Sequence, residues 1–462
     1  MIGNLRKAID WAFKGHPSGL RWISAAEFWE RFSYYGMAGL LVLYMTHQLL
    51  TPEHVANIWG FPLFERFIAS MYGPGQGQTL AAHVTGFYQF SVYVTPLLGG
   101  WLADRYMGRT AAVATGALMM AFGHFLMAFD VSFVLALLFL LAGVGLFKGN
   151  MAAQVGDLYA DDDPRRADGF QIYYIAIQMA VIISPFIVGT LGETVGWHWG
   201  FGAAGVGMVL GLIIYLIGRA RGVLPKEKLR GDGAVARPPM TARDKKAVAL
   251  LILLIPVLAL SLVGNQEIFN AYLVWSEKNF QLVFRGHTMP ITWMLSLDAV
   301  ISTLLMAASV AFWRWYGRHW REPDEIGKMC IGVAIAACAP LTLALASVIV
   351  ERTGQPVSLT WALAFHILND LGFSNLLPVG LALYSRAAPK GWESLIIAVY
   401  YLQIALGNYL TGYLAGLLST MPGAQFWLLH VGVMLASAAI LFLTRLFAGH
   451  LLAPPYEAPP TS

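Results

Sequence analysis

The sequence predicts an all-α membrane protein with twelve transmembrane helices in two six-helix bundles. Three observations carry that prediction. First, of 462 residues 57% are apolar and only 12% are charged, about half the charged share of a soluble domain. A soluble enzyme of this composition has too little polar surface to cover itself. Second, the apolar residues fall into twelve continuous stretches, each near the roughly 20 residues that a bilayer-spanning helix needs. Their continuity argues against a β-barrel, whose strands alternate. Third, the basic residues crowd into every second loop between those stretches.

The first stretch covers 22–49. It follows a short amphipathic lead-in with Arg6, Lys7 and Lys14 and no cleavable signal peptide. The next five cover 80–103, 109–128, 132–157, 170–192 and 201–221. Segment 222–245 breaks the pattern with Pro225, Pro238, Pro239, several glycines and many charges, and reads as a central loop too short to hide two more spans. Six stretches follow, over 246–276, 291–315, 326–350, 358–385, 394–418 and 425–449. Stretches beyond 25 residues are expected to tilt or protrude. The expected organisation is an N-terminal bundle over 1–221, a linker over 222–245 and a C-terminal bundle with a short tail over 246–462.

Of the 30 Lys and Arg residues, 24 lie at the two ends or in even-numbered loops, and four (Arg66, Lys278, Arg285 and Arg352) lie in odd-numbered ones. The positive-inside rule then puts both termini in the cytoplasm of a multi-pass plasma-membrane protein. Six spans, a long loop and six more spans is the organisation of a two-bundle transporter with its site near the midplane. No residue-level repeat between the halves is evident, so that symmetry is topological only. Cys330 and Cys338 sit in one apolar stretch and suggest neither a disulfide nor a metal site. No nucleophile–base constellation, metal-ligand cluster or phosphate-cradling loop stands out. The expectation is no enzyme activity, no metal, no cofactor and no nucleic-acid partner.

The two basic residues left over, Arg31 and Lys148, fall inside spans. A charge at mid-bilayer costs about 2.5–3.5 kcal/mol on insertion scales and marks a functional site by default. In span 1, Glu27, Glu30, Arg31 and Tyr34 recur at helical spacing and form a polar stripe, with Tyr35 beside it. A carboxylate next to a fixed guanidinium can exchange an ion pair for a proton. Lys148 in span 4 suits a substrate carboxylate or a proton. Glu267 in span 7, Asp298 in span 8 and Asp370 in span 10 complete the intramembrane acids. Tyr93 and Tyr400 read as cavity aromatics, against helix packing as the plain alternative.

The run from Gly99 to Arg109, with Asp104 and Arg105, resembles the loop motif of the major facilitator superfamily. Glu27-Phe28-Trp29-Glu30-Arg31 followed by Phe32-Ser33-Tyr34-Tyr35-Gly36 resembles the signature of its proton-dependent oligopeptide transporter (POT) family. Gly143–Asn150, Gly196–Gly202, Gln266-Glu267, Pro378–Leu381 and Ala388-Pro389 extend the likeness along nearly the whole chain. The resemblance implies import of di- and tripeptides with protons; the chain is further expected to need no cofactor and to act as a monomer. It implies that Arg31 and Lys148 hold the peptide carboxylate, that Tyr34, Tyr35 and Tyr93 line the cavity, and that Glu27, Glu30 and Glu267 serve proton coupling by leaving Arg31 or Lys148 when protonated.

The pocket departs from that pattern. Phe373 stands five residues before Pro378, where the family usually has a glutamate that meets the peptide amine. Asp298 stands where span 8 often carries an asparagine, Gln178 replaces the span 5 asparagine, Tyr400 replaces the span 11 tryptophan and Ala38 replaces a second arginine. Asp298 is therefore the expected amine anchor, with Asp370 as its rival. The alternatives are a proton-coupled transporter of a non-peptide solute and a transporter-like receptor.

Overall fold

The computed structural model describes residues 13–160, 162–225 and 239–452. Arg6, Lys7, most of the central loop and the C-terminal tail lie outside the described residues. Among the described residues there are twelve long helices, one for each predicted stretch. They are α1 Gly19–Tyr44, α2 Gly77–Leu102, α3 Arg109–Leu126, α4 Phe133–Asp157, α5 Arg165–Ser184 and α6 Trp197–Ala220, then α7 Ala242–Gln266, α8 Trp293–Tyr316, α9 Glu325–Thr353, α10 Thr360–Ala387, α11 Glu393–Gly416 and α12 Gly423–Leu452. Eight of the long helical segments are apolar enough along their length to cross a membrane by composition alone, and α1, α2, α3 and α10 are not among them. For α1 the reason is the cluster of Glu27, Glu30 and Arg31. Apolar side chains such as Leu253 and Phe447 are about three-quarters exposed, as suits helices that face lipid tails.

The residues group into two units, Met1–Gly233 with Leu282–Ala299 and Ala234–Gln281 with Val300–Ser462. In the first unit α1 packs on α5 and α6, and α3 packs on α4 and α6. In the second unit α7 packs on α11 and α12, and α9 packs on α10 and α12. Each pairing recurs six helices later. The repeat that the residues conceal is therefore present in the packing.

Glycine makes the corresponding crossings possible. A Cβ on Gly116 would lie 2.6 Å from the Gly143 carbonyl oxygen, and one on Gly143 would lie 2.7 Å from that of Gly116. Gly332 and Gly372 do the same between α9 and α10, at 2.7 and 2.4 Å. Helices in a membrane gain most of their attraction from such close backbone contact, since lipid competes equally for large apolar side chains.

Four local departures from straight helices matter. The first stretch ends in a π turn over Met45–Leu49, and two short helices, Pro52–Val55 and Phe61–Tyr72, fill the loop that follows. A two-stranded hairpin (β1 Val283–Phe284, β2 His287–Thr288) lies before α8. The fifth stretch starts earlier than expected and runs past Pro185 into two π turns, the second over Leu191–Val195. There Glu193 accepts the Ile291 and Thr292 amides at 2.8 and 3.0 Å and the Thr292 hydroxyl at 2.5 Å. The seventh stretch was expected to be one helix over 246–276; instead it breaks. A 3-10 turn over Glu267–Phe269 and the irregular backbone of Asn270 separate α7 from a short helix over Ala271–Asn279.

Candidate functional site

In the first unit, α1 carries the predicted stripe into the interior. Glu27, Glu30 and Arg31 are 1%, 0% and 5% exposed. The four-residue offset puts Glu27 one turn from Arg31, and Arg31 Nε donates to Glu27 Oε1 at 2.8 Å. Glu30 Oε2 is also 2.8 Å from that nitrogen. Neither Glu30 oxygen has a hydrogen-bond partner among the described residues. Its contact with Arg31 is thus an ion pair without an aligned hydrogen bond. Buried Tyr173 of α5 lies beside the Glu27 carboxylate.

The aromatic residues extend the site. The Tyr34 hydroxyl donates to Gln89 Oε1 of α2 at 2.6 Å, and the Arg31 guanidinium lies 5.8 Å from the Tyr34 ring centre. Tyr35 packs edge-on against Tyr34. Lys148 of α4 holds its ammonium 4.0 Å from the centre of the Tyr93 ring of α2, a geometry that stabilises a cation without neutralising it. Lys148 acts electrostatically on Arg31, Glu30 and Glu27. Seven predicted residues, Glu27, Glu30, Arg31, Tyr34, Tyr35, Tyr93 and Lys148, therefore belong to one charged and aromatic group in this unit. Two carboxylates face two cations there, and a proton or a substrate carboxylate can change either pairing. Gln178 of α5 and Asp298 of α8 are half-buried.

The second unit treats its predicted residues differently. Glu267 sits at the break after α7 and is fully buried. In this unit its carboxylate is held by His430 of α12, with His430 Nε2 at 2.9 Å from Glu267 Oε1. Its other oxygen accepts the Ala271 amide at 3.1 Å, a donor that the broken helix leaves without its usual backbone partner. On α10, Phe373 is half-buried and Asp370 is buried, with Asn369 Nδ2 donating to Asp370 Oδ1 at 3.1 Å. His366 Nε2 of the same helix meets the Tyr272 hydroxyl at 2.8 Å. Tyr400 is fully buried and donates to the Leu377 carbonyl at 2.6 Å. It packs α11 on α10, where a Cβ on Gly380 would lie 2.5 Å from its hydroxyl oxygen.

Sequence reasoning missed Tyr173, Gln89 and His430. Counting formal charges inside spans finds arginine, lysine and acids, but passes over a histidine in an otherwise apolar stretch. Applying the same cost argument to every titratable group would have found His430.

Long helices with ion-paired charges in their interior define a polytopic membrane transporter rather than an enzyme. The sequence profile of the POT family matches residues 110–235 and 233–428, and the chain belongs to that family. Among relatives, the uncharacterized transporter YclF of Bacillus subtilis (strain 168) is 28% identical over 90% of this chain and 91% of its own. A di-/tripeptide transporter of Lactococcus lactis subsp. cremoris is 28% identical over 86% and 89%. Of solved structures, a mutant of the peptide transporter POT in complex with alafosfalin has a TM-score of 0.80 at 25% identity, covering 95% of this chain and 96% of that one.

Proposed function

We propose that this chain imports di- and tripeptides, or peptide-like solutes, together with protons by alternating access. One observation carries the reading. Arg31 is shared by two buried carboxylates, and one of them, Glu30, has no hydrogen-bond donor on either oxygen among the described residues. A proton taken up by that carboxylate ends its ion pair and releases the guanidinium for a substrate carboxylate. Arg31 and Lys148 hold that carboxylate, Tyr34, Tyr35, Tyr93, Gln178 and Phe373 shape the pocket, and Asp298 anchors the amine, with Asp370 as its rival. Glu27, Glu30 and Glu267 couple protons. Tyr400 acts by fixing α10 against α11. The names of the relatives support a peptide as substrate.

The protein works as a monomer in the plasma membrane with both termini cytoplasmic. Phe373 on α10 favours a second reading, in which the solute lacks the free amine of a peptide. The test is uptake of labelled dialanine into proteoliposomes under an imposed inward proton gradient, with and without a protonophore. Gradient-dependent accumulation supports the first reading. Accumulation of another solute that dipeptides do not compete away supports the second.

A further inference from the structure

The Glu267–His430 pair has a proton content that its geometry dictates. His430 Nδ1 lies 2.9 Å from the Phe426 carbonyl oxygen, and a carbonyl only accepts. Nδ1 therefore carries hydrogen. If the ring is neutral, Nε2 is then a lone pair, and it faces Glu267 Oε1 at 2.9 Å. Two lone pairs do not make that contact. One more proton lies between them, on the histidine as an imidazolium beside a carboxylate, or on the glutamate as a carboxylic acid donating to a neutral ring. Both arrangements are neutral overall, which is what full burial of both side chains requires.

We propose that Glu267 and His430 together carry one exchangeable proton and that its release separates the end of α7 from α12. The step moves one proton from the pair to water and changes no other bond. Afterwards the imidazole lone pair opposes the carboxylate lone pair, because the Phe426 carbonyl keeps hydrogen on Nδ1. Glu267 also holds the Ala271 amide across the break in the seventh stretch. Losing the His430 contact thus acts on the least regular backbone of that stretch, and irregular backbone within transporter helices is a recurrent place for ion coupling.

The surroundings leave the pair to itself. Glu267 meets the His430 ring with one oxygen and the Ala271 amide with the other. Elements packed on α7 and α12 carry other titratable groups with their own engagements. Glu351 of α9 accepts the Ala424 amide, His366 of α10 meets Tyr272, Asp370 bonds Asn369, and Tyr400 of α11 bonds Leu377. Tyr409 also lies on α11. Aromatic packing of Phe426 and Trp427 against the His430 ring closes the site.

This inference rests on proton-coupled transport for its role, so its test separates the two. Purified protein in nanodiscs is titrated from acid to alkaline pH, and protons released per chain are compared between wild type, Glu267→Gln and His430→Asn. Glu267→Gln keeps a donor toward His430 Nε2 and an acceptor for Ala271, and so mimics the loaded pair and guards against misfolding. Both variants are expected to release about one proton fewer than wild type. In proteoliposomes, Glu267→Gln is expected to lose gradient-driven accumulation at least tenfold. Equal proton release from all three proteins overturns the proposal. A proton deficit in the variants, with no proton-driven uptake by wild type, leaves the pair standing and overturns the function proposed above.

Discussion

Arg31 Nε lies 2.8 Å from Glu27 Oε1 and 2.8 Å from Glu30 Oε2. One guanidinium nitrogen thus serves two buried carboxylates that belong to the same helix face. A lysine ammonium there is a compact point charge on a flexible stem and does not reproduce the planar arrangement. Arg31→Lys is expected to lower gradient-driven uptake at least about tenfold, equivalent to about 1.4 kcal/mol. Unchanged uptake at equal protein content would show that the shared contact is dispensable. Arg31→Ala leaves two buried carboxylates without their cation and is expected to cost about 3–5 kcal/mol of stability, seen as poor recovery of folded protein.

The Lys148 ammonium sits over the Tyr93 ring face. Tyr93→Phe keeps that face and is expected to leave the half-saturating peptide concentration within about twofold. Tyr93→Leu removes it, and a loss of about 0.5–2 kcal/mol translates to roughly 2- to 30-fold weaker half-saturation. Equal effects of the two substitutions would mean that the hydroxyl, and not the ring, matters.

The twin glycine crossings give a stability prediction. Gly332→Val directs its side chain at the Gly372 carbonyl, which is backbone and has little freedom to move. Overpacking of this kind costs about 1–3 kcal/mol or more, and Gly116→Val is expected to match it in the other unit. Thermal unfolding in detergent checks both. Gly100→Ala, whose added Cβ meets nothing within 4 Å, serves as the control.

Glu193 takes two backbone amides and a hydroxyl just before α8. Helix starts lack intrahelical acceptors for their first amides, so a side-chain carboxylate there acts as a cap. Glu193→Ala is expected to cost about 0.5–2 kcal/mol, the range for lost caps. An unchanged Tm would place the value of the contact elsewhere.

Much of the fold was legible because lipid imposes a simple rule on sequence. Each of the twelve stretches became a helix, since an apolar segment of that length has no other way to satisfy its backbone in a bilayer. The ends were less legible. Arg165 and Asp168 begin α5 ahead of its apolar run, where charge rather than hydropathy sets the boundary. The break at Asn270 has no proline to announce it, and depends on Glu267 taking the Ala271 amide. The charged stripe on α1 was legible from four-residue spacing alone. The partner of Glu267 was not, because His430 lies 163 positions away and only packing of α12 on α7 brings it close. The internal repeat was hidden for a similar reason. Glycine pairs such as Gly116–Gly143 and Gly332–Gly372 preserve a crossing, while the larger residues around them are free to differ.

Coupling of peptide entry to proton entry is tested most directly by an internal pH indicator. Proteoliposomes with equal pH inside and out and a clamped negative interior potential receive dialanine from outside. Dialanine is expected to acidify the interior at a rate that saturates with peptide, and Arg31→Lys is expected to slow that rate in proportion to its loss of uptake. Peptide entry without acidification, or acidification that does not depend on peptide, would contradict proton-coupled import.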